Sequence, residues 1–118
     1  MNKIKNCRKI NLTKIVDALD GVLSVAEAQN EIPFNIKRVY YIYHFESQKS
    51  VRGHHAHKCL EQVLFCISGS FCIKLDDGEN QYQYLMNNPN EGLFIGNNLW
   101  HTMQDFTDDC IIIVLASD

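Results

Sequence analysis

Apolar and polar residues alternate with a period of two in many short segments of this chain. These segments are flanked by Gly, Asn, Asp and Pro. No segment shows the apolar period of 3.6 residues that is typical of an amphipathic helix. A period of two is typical of strands, because successive side chains of a strand point to opposite faces. The pattern predicts ten strands: Cys7 to Leu12, Gly21 to Glu27, Ile36 to Tyr43, His54 to Lys58, Glu61 to Ser68, Phe71 to Leu75, Tyr82 to Leu85, Leu93 to Ile95, Leu99 to Phe106 and Cys110 to Ala116.

Two tight hairpin turns are predicted at Ser68-Gly69 and at Asp76-Asp77-Gly78, because Gly and Asp tolerate the positive φ of such turns. Many short strands in 118 residues favour a closed or two-layered antiparallel architecture, since one flat sheet leaves long edges and an uncovered face. We therefore expect an all-β jelly roll or small barrel that forms one domain over residues 1–118. The segment Val25 to Asn30 is the one candidate for a helical turn.

Composition limits the classes of function. The formal net charge is -3, and the 11 Lys and Arg residues are scattered, which disfavours a nucleic-acid-binding protein. The five cysteines are odd in number and form no C-x-x-C pair, and several lie among apolar neighbours, so we expect reduced, structural thiols. Neither a signal peptide nor a membrane-spanning apolar run is evident, and the expected location is the cytoplasm.

Histidines are concentrated in two predicted strands. Alternation places His55 and His57 on one face and His54 on the other, and His101 lies on a distant strand. These imidazoles can therefore meet inside a barrel. Histidine either binds a metal or exchanges protons near neutrality, since its unperturbed pKa is about 6.5.

The spacing resembles the cupin superfamily, whose members are double-stranded β-helix barrels. Its pattern of HxH, an acid, a glycine and a later histidine corresponds to His55, His57, Gln62, Gly69 and His101. Many cupins bind a divalent metal through two His, a Glu and a final His. An amide at Gln62 lacks the charge of that Glu, which favours metal-free acid–base chemistry, although three imidazoles alone can hold zinc.

A narrower resemblance extends over nearly the whole chain. The chain is similar to the dTDP-4-keto-6-deoxyglucose 3,4-ketoisomerases, a WxcM-like family of the cupin superfamily. The likeness rests on Ile32-Pro33-Phe34, Lys37 to Ile42, Arg52 to Lys58, Glu61-Gln62, Leu75 to Gly78, Gly92 to Ile95, Trp100-His101, Met103, Asp105-Phe106 and Val114 to Asp118.

This resemblance implies an isomerase without a metal or other cofactor. It would shift the keto group of a dTDP-linked deoxyhexose from C4 to C3 through an enediolate, for deoxysugar synthesis that supplies lipopolysaccharide, O-antigen or S-layer polysaccharides. The resemblance assigns the carbon base to His57 and its partner on oxygen to His55, or the reverse. It leaves a hydroxyl donor to Tyr41 or Tyr43.

The substrate must also be held. The family motif implies that Gln62 and His101 line the cavity. A buried diphosphate requires cations, and Arg38, Arg52 and Lys58 are the candidates. Whether the 3-keto product has the gluco or the galacto configuration depends on the face of C4 that receives the proton.

The resemblance further implies a homodimer with exchanged N-terminal strands, which would cover open sheet edges. The family continues for a short segment past the position of Asp118, and the sequence leaves open whether a C-terminal segment or a fused domain is missing here. Two alternatives stay open: a metal-dependent cupin, such as a dioxygenase or isomerase, and a sugar-binding cupin module without catalysis.

Overall fold

A computed structural model describes residues 6–46, 52–55 and 59–118, of which residues 52–55 are described by their backbone alone. Within these ranges the chain forms eleven strands and no helix, which confirms the all-β prediction. The strands are β1 (Cys7–Asn11), β2 (Thr13–Asp17), β3 (Gly21–Val25), β4 (Arg38–Ile42), β5 (Arg52–His55), β6 (Gln62–Ser68), β7 (Phe71–Asp76), β8 (Gln81–Met86), β9 (Glu91–Ile95), β10 (Trp100–Gln104) and β11 (Ile111–Ala116).

Two antiparallel sheets form the body of the fold. The five-stranded sheet has the order β1-β9-β6-β11-β4, and the four-stranded sheet has the order β5-β10-β7-β8. The main hydrophobic core draws on both of them, with Leu64 and Val114 from the first sheet and Ile73 and Met103 from the second. This two-layered arrangement agrees with the predicted jelly roll.

Strand β6 illustrates how alternation divides the five-stranded sheet. Leu64 and Cys66 belong to the main core between the sheets, which we call the inner face. Val63 and Phe65 belong to a second core on the outer face, where Ile32 and the segment that follows it pack. The near-continuous apolar run of β6 thus reflects burial on both faces.

Strand β2 was not among the predicted strands. Among the described residues it pairs with β3 alone, and all five of its own residues are exposed. The hairpin nevertheless carries apolar side chains on both of its faces: Val16 opposite Val22, and Ile15 opposite Leu23, all more than half exposed. At its base, Ser24 Oγ lies 2.6 Å from Asn90 Oδ1.

Both predicted turns are present, with Gly69 at φ 66° and Gly78 at φ 95°. In the second turn the Asp77 carboxylate accepts hydrogen bonds from two backbone N–H groups. The predicted helical turn over Val25 to Asn30 is wrong. This segment leads into a bridge between Ala28 and Ile32, and Gln29 adopts a positive φ that breaks a helix.

The five cysteines are unlinked, as expected from their pattern. Cys66 and Cys110 lie in the main core with their sulfur atoms 4.0 Å apart. Burial raises the pKa of both thiols, that of Cys110 to about 12.

None of the described residues forms a helix that could cross a membrane.

Candidate active site

Polar side chains on the inner face of the five-stranded sheet gather where β6 begins. Gln62 pairs with Ala116 of β11 on one side and with Ile95 of β9 on the other. Its side chain shares the inner face with Leu64 and is only 6 % exposed, although it is polar. A buried amide needs hydrogen-bond partners.

Tyr40 is the partner of this amide. Gln62 Nε2 donates a hydrogen bond to the Tyr40 hydroxyl over 2.7 Å. The bond crosses strand β11, because Tyr40 lies on β4 opposite Val114 and Gln62 lies on β6 opposite Ala116. The small side chain of Ala116 leaves room for this crossing.

Arg38 begins β4 and lies on the same face of the strand as Tyr40. Its guanidinium carbon is 6.0 Å from the centre of the Tyr40 ring, and its Nε donates to the backbone oxygen of Asp118 over 2.8 Å. The side chain is exposed, so its charge lies at the rim of the cluster, where an anionic ligand can reach it.

Tyr41 and Tyr43 lie elsewhere. Tyr41 pairs with Ile113, whose side chain belongs to the outer core, and both tyrosines are more than 60 % exposed, at 63% and 62%. Their rings stack on each other with centroids 5.7 Å apart. This placement does not agree with the expectation that Tyr41 or Tyr43 supplies a hydroxyl to the cavity. Strand register brings Tyr40 to the inner face instead.

Sequence reasoning missed Tyr40 because this segment has tyrosines at even and at odd positions, and therefore on both faces of the strand. The alternation of side chains was the available signal, since it puts Arg38 and Tyr40 on the same face. Only the pairing of β4 with β11 decides which face is inside.

The second sheet contributes His101 from β10. This histidine is 4 % exposed and pairs with Leu75 of β7. Strands β6 and β7 leave the Gly69 turn in different sheets, and Gln62 and Leu75 lie near their far ends. His101, which pairs with Leu75, therefore lies about as far from the Gly69 turn as Gln62 does, but on the other sheet.

Strand β5 brings the backbone of His55 directly beside His101, since the two are paired residues of adjacent strands. The register shifts between His101 and Thr102, and Arg52 is then opposite Met103. Of the predicted strand His54 to Lys58, the first two residues belong to β5. His57 and Lys58 lie outside the described residues, so their predicted roles stay predictions.

A divalent metal does not fit the described part of this cluster. Carboxylates and imidazoles hold such ions, whereas the Gln62 side chain is a neutral amide whose nitrogen faces the Tyr40 hydroxyl. Across residues 6–46 and 59–118, no three His, Cys, Asp or Glu side chains come together as metal ligands do. The donor set favours hydrogen bonding and proton transfer.

Comparison with known proteins places these residues in context. Residues 5–118 match the model of the family FdtA, described as WxcM-like, C-terminal. A TDP-4-oxo-6-deoxy-alpha-D-glucose-3,4-oxoisomerase of Aneurinibacillus thermoaerophilus is 47% identical over 109 residues, which are 92% of this chain and 77% of that protein.

Solved structures agree with this match. The WlaRB TDP-quinovose 3,4-ketoisomerase of Campylobacter jejuni superimposes with a TM-score of 0.92 at 48% identity, over 98% of this chain and 87% of that one. The 3,4-ketoisomerase QdtA of Thermoanaerobacterium thermosaccharolyticum, a histidine-to-asparagine mutant in complex with TDP-4-keto-6-deoxyglucose, gives a TM-score of 0.92 at 40% identity. That match covers 98% of this chain and 83% of QdtA.

Proposed function

We propose that this chain, which belongs to the FdtA family of WxcM-like domains, is a sugar-nucleotide 3,4-ketoisomerase that moves the keto group of a TDP-linked 6-deoxyhexose from C4 to C3. The observation that carries the proposal is the match of almost the whole chain to 3,4-ketoisomerases at 40% to 48% identity. The hydrogen-bonded pair of Gln62 and Tyr40 on one sheet and the buried His101 on the other support it. The enzyme would serve deoxysugar synthesis for surface polysaccharides.

The reaction exchanges protons and needs no external oxidant. A base removes the proton on C3, and the electron pair of that C–H bond moves to form the enediolate, with its charge on the C4 oxygen. Reprotonation of C4 and transfer of the C3 hydroxyl proton to the C4 oxygen then give the 3-keto product. We assign the carbon base to His57 and the partner on oxygen to His55, since a neutral imidazole both accepts and returns a proton near neutrality.

Binding of the nucleotide is assigned to the rim of the cluster. The exposed guanidinium of Arg38 is a candidate for the diphosphate, together with Arg52 and Lys58. Gln62 and His101 form walls of the sugar cavity. Their burial excludes water, which strengthens electrostatic stabilisation of the enediolate.

We further propose a homodimer in which the N-terminal strands are exchanged. The β2–β3 hairpin has exposed apolar side chains on both faces, which favours burial between two other surfaces. A cavity of about 480 Å³ beside the hairpin, lined by Val22, Phe65 and Leu115 among others, offers one such surface. The unlinked Cys66 and Cys110 support a reducing compartment, the cytoplasm.

Turnover of TDP-4-keto-6-deoxyglucose, followed by NMR of the sugar ring, tests the function. We expect wild-type protein to produce a 3-keto sugar, whose ring couplings distinguish the gluco from the galacto product. His57→Asn should lose turnover while it still folds and binds TDP. The matched control is His44→Asn, because His44 is exposed and has a positive φ that Asn tolerates. Its Nε2 lies 3.9 Å from Glu46 Oε1, and that carboxylate is exposed as well.

Three results would contradict the proposal. Full turnover by His57→Asn would remove the assignment of the base. Near-stoichiometric iron, zinc or manganese in active protein, lost together with activity on chelation, would replace the metal-free mechanism. Binding of TDP without any turnover by the wild-type protein would leave a sugar-binding module.

A further inference from the structure

The side of the four-stranded sheet that points away from the main core carries the one tryptophan of the chain. Side chains of β10 alternate, so Met103 enters the core while Trp100 and Thr102 point outward. Trp100 is 45% exposed. A single exposed aromatic side chain is ordinary on a protein surface, but Trp100 also forms a wall of a cavity.

This cavity has a volume of about 210 Å³ and is lined by paired rows of β10, β7 and β8. In one row, Trp100 pairs with Asp76, and Asp76 pairs with Gln81. In the next row, Thr102 pairs with Lys74. An indole, a carboxylate, an ammonium group, an amide and a hydroxyl therefore meet at one cavity, and regular strands hold all of them.

The carboxylate of Asp76 is fixed in direction. Its Oδ1 accepts a hydrogen bond from the Gly78 backbone N–H over 2.8 Å, and its Oδ2 accepts one from Gln81 Nε2 over 3.1 Å. A carboxylate has about four acceptor positions, so it can accept further hydrogen bonds from a ligand. Hydrogen bonds to an ionised group are about twice as strong as neutral ones. Asp76 is therefore prepared to bind ligand hydroxyl groups.

We propose that this cavity binds the pyranose ring of a neutral sugar, with the C–H face of the ring packed on the Trp100 indole. Hydroxyl groups of the ring donate hydrogen bonds to Asp76 and accept them from Lys74. The site is separate from the proposed ketoisomerase cavity, because Trp100 and His101 are successive residues of β10 and point to opposite sides of the sheet.

Charge and size select this class of ligand. The described residues that line the cavity carry one positive charge, on Lys74, and one negative charge, on Asp76, which suits a neutral ligand better than a phosphate. Sites for drug-sized ligands have volumes of about 300–1,000 Å³, so 210 Å³ accommodates one sugar ring and not a whole sugar nucleotide. A pyranose has an apolar C–H face and a rim of hydroxyl groups, which matches an indole beside charged and amide groups.

Tryptophan fluorescence tests the proposal directly, because Trp100 is the one tryptophan and it lies in the cavity. The wild-type protein is titrated with the methyl glycosides of D-glucose, D-galactose and their 6-deoxy forms. We expect a saturable change in fluorescence with a dissociation constant of the order of 1 mM, since a small ligand in an open cavity gains little affinity. No saturable change with any of these glycosides would overturn the inference.

A second titration, with TDP at saturation, separates this cavity from the ketoisomerase site. The dissociation constant of the glycoside should not change, because the two ligands occupy opposite sides of the sheet. Competition between TDP and the glycoside would place the sugar in the ketoisomerase site and overturn the inference. A change in fluorescence with TDP-glucose alone, and with none of the glycosides, would overturn it as well. Absence of turnover would refute the proposed function and leave these titrations interpretable.

Variants show whether the ligand contacts the named residues. Asp76→Asn keeps an oxygen for the Gly78 N–H but removes the charge, and it should raise the dissociation constant about fivefold or more. The charge-matched control is Glu79→Gln, because Glu79 is exposed in the adjacent turn and does not line the cavity. Trp100→Leu, measured by saturation-transfer NMR of the glycoside, should weaken binding about tenfold or more. Wild-type affinity in Asp76→Asn or in Trp100→Leu, or an equal loss in Glu79→Gln, would contradict the site.

Discussion

The two faces of the five-stranded sheet differ in chemistry although they alternate along the same strands. On the inner face, the apolar core ends at a polar cluster of Arg38, Tyr40 and Gln62. On the outer face, Phe65 and Leu115 belong to an apolar core that extends toward an exposed hairpin. Within one strand, β4, Tyr40 takes part in the first face and Tyr41 in the second.

This difference separates two tasks. The inner face must be rigid and dry around a few polar groups, because donors and bases act most strongly where water is excluded. The outer face has little polar chemistry, and its exposed apolar neighbours suit association with a second copy. A change on the inner face should thus alter stability or catalysis in one subunit, and a change on the outer face should alter assembly.

The largest expected difference in stability comes from one pair of valines. Val114 is 1 % exposed on the inner face, and Val39 is 54 % exposed on the outer face of the same sheet. Val114→Ala should lower the free energy of unfolding by about 2 kcal/mol, through lost burial and the cavity it leaves. Val39→Ala should change it by less than about 0.5 kcal/mol. Urea unfolding measures both, and equal losses would contradict the division of the two faces.

Assembly should respond to the hairpin. Val22→Asp places a charge beside the outer-face cavity, and we expect the dissociation constant of the dimer to rise tenfold or more, which corresponds to about 1.4 kcal/mol. Sedimentation over a range of concentrations measures this constant. Leu85→Asp is the matched control, because Leu85 is an exposed apolar residue of the other sheet. A monomeric wild type, or equal effects of the two variants, would contradict association through the hairpin.

Much of this fold could be predicted from alternation, because most strands have one face in the main core. Strand β2 was not predicted, and the structure shows no buried face for it: all five residues of Thr13–Asp17 are exposed. The predicted start of the next strand at Gly21 is confirmed, and Gly21 adopts φ 98° there.

The candidate site was only partly predictable, for a related reason. A motif identified His55 and Gln62, but the choice among three tyrosines of one segment depends on the pairing between β4 and β11. That pairing joins residues far apart in the sequence, and it fixes which parity is buried. The donor direction of the Gln62 amide is likewise set by tertiary contact and not by residue type.

The smallest expected effect concerns the thiols of the inner face. Burial raises the pKa of Cys110 from 9.0 to about 12, and it also raises the pKa of Cys66. Since the unfolded chain releases these protons at lower pH, the contribution to stability is complete below about pH 9 and is lost as the pH rises toward about 12. The free energy of unfolding, measured in urea from about pH 8 to about pH 10, should therefore decline. The decline should be shallower in Cys110→Ala than in the wild type. It should have the wild-type slope in Cys59→Ala, because Cys59 is exposed. Identical slopes in the wild type and both variants would mean that the inner face does not hold these thiols away from water.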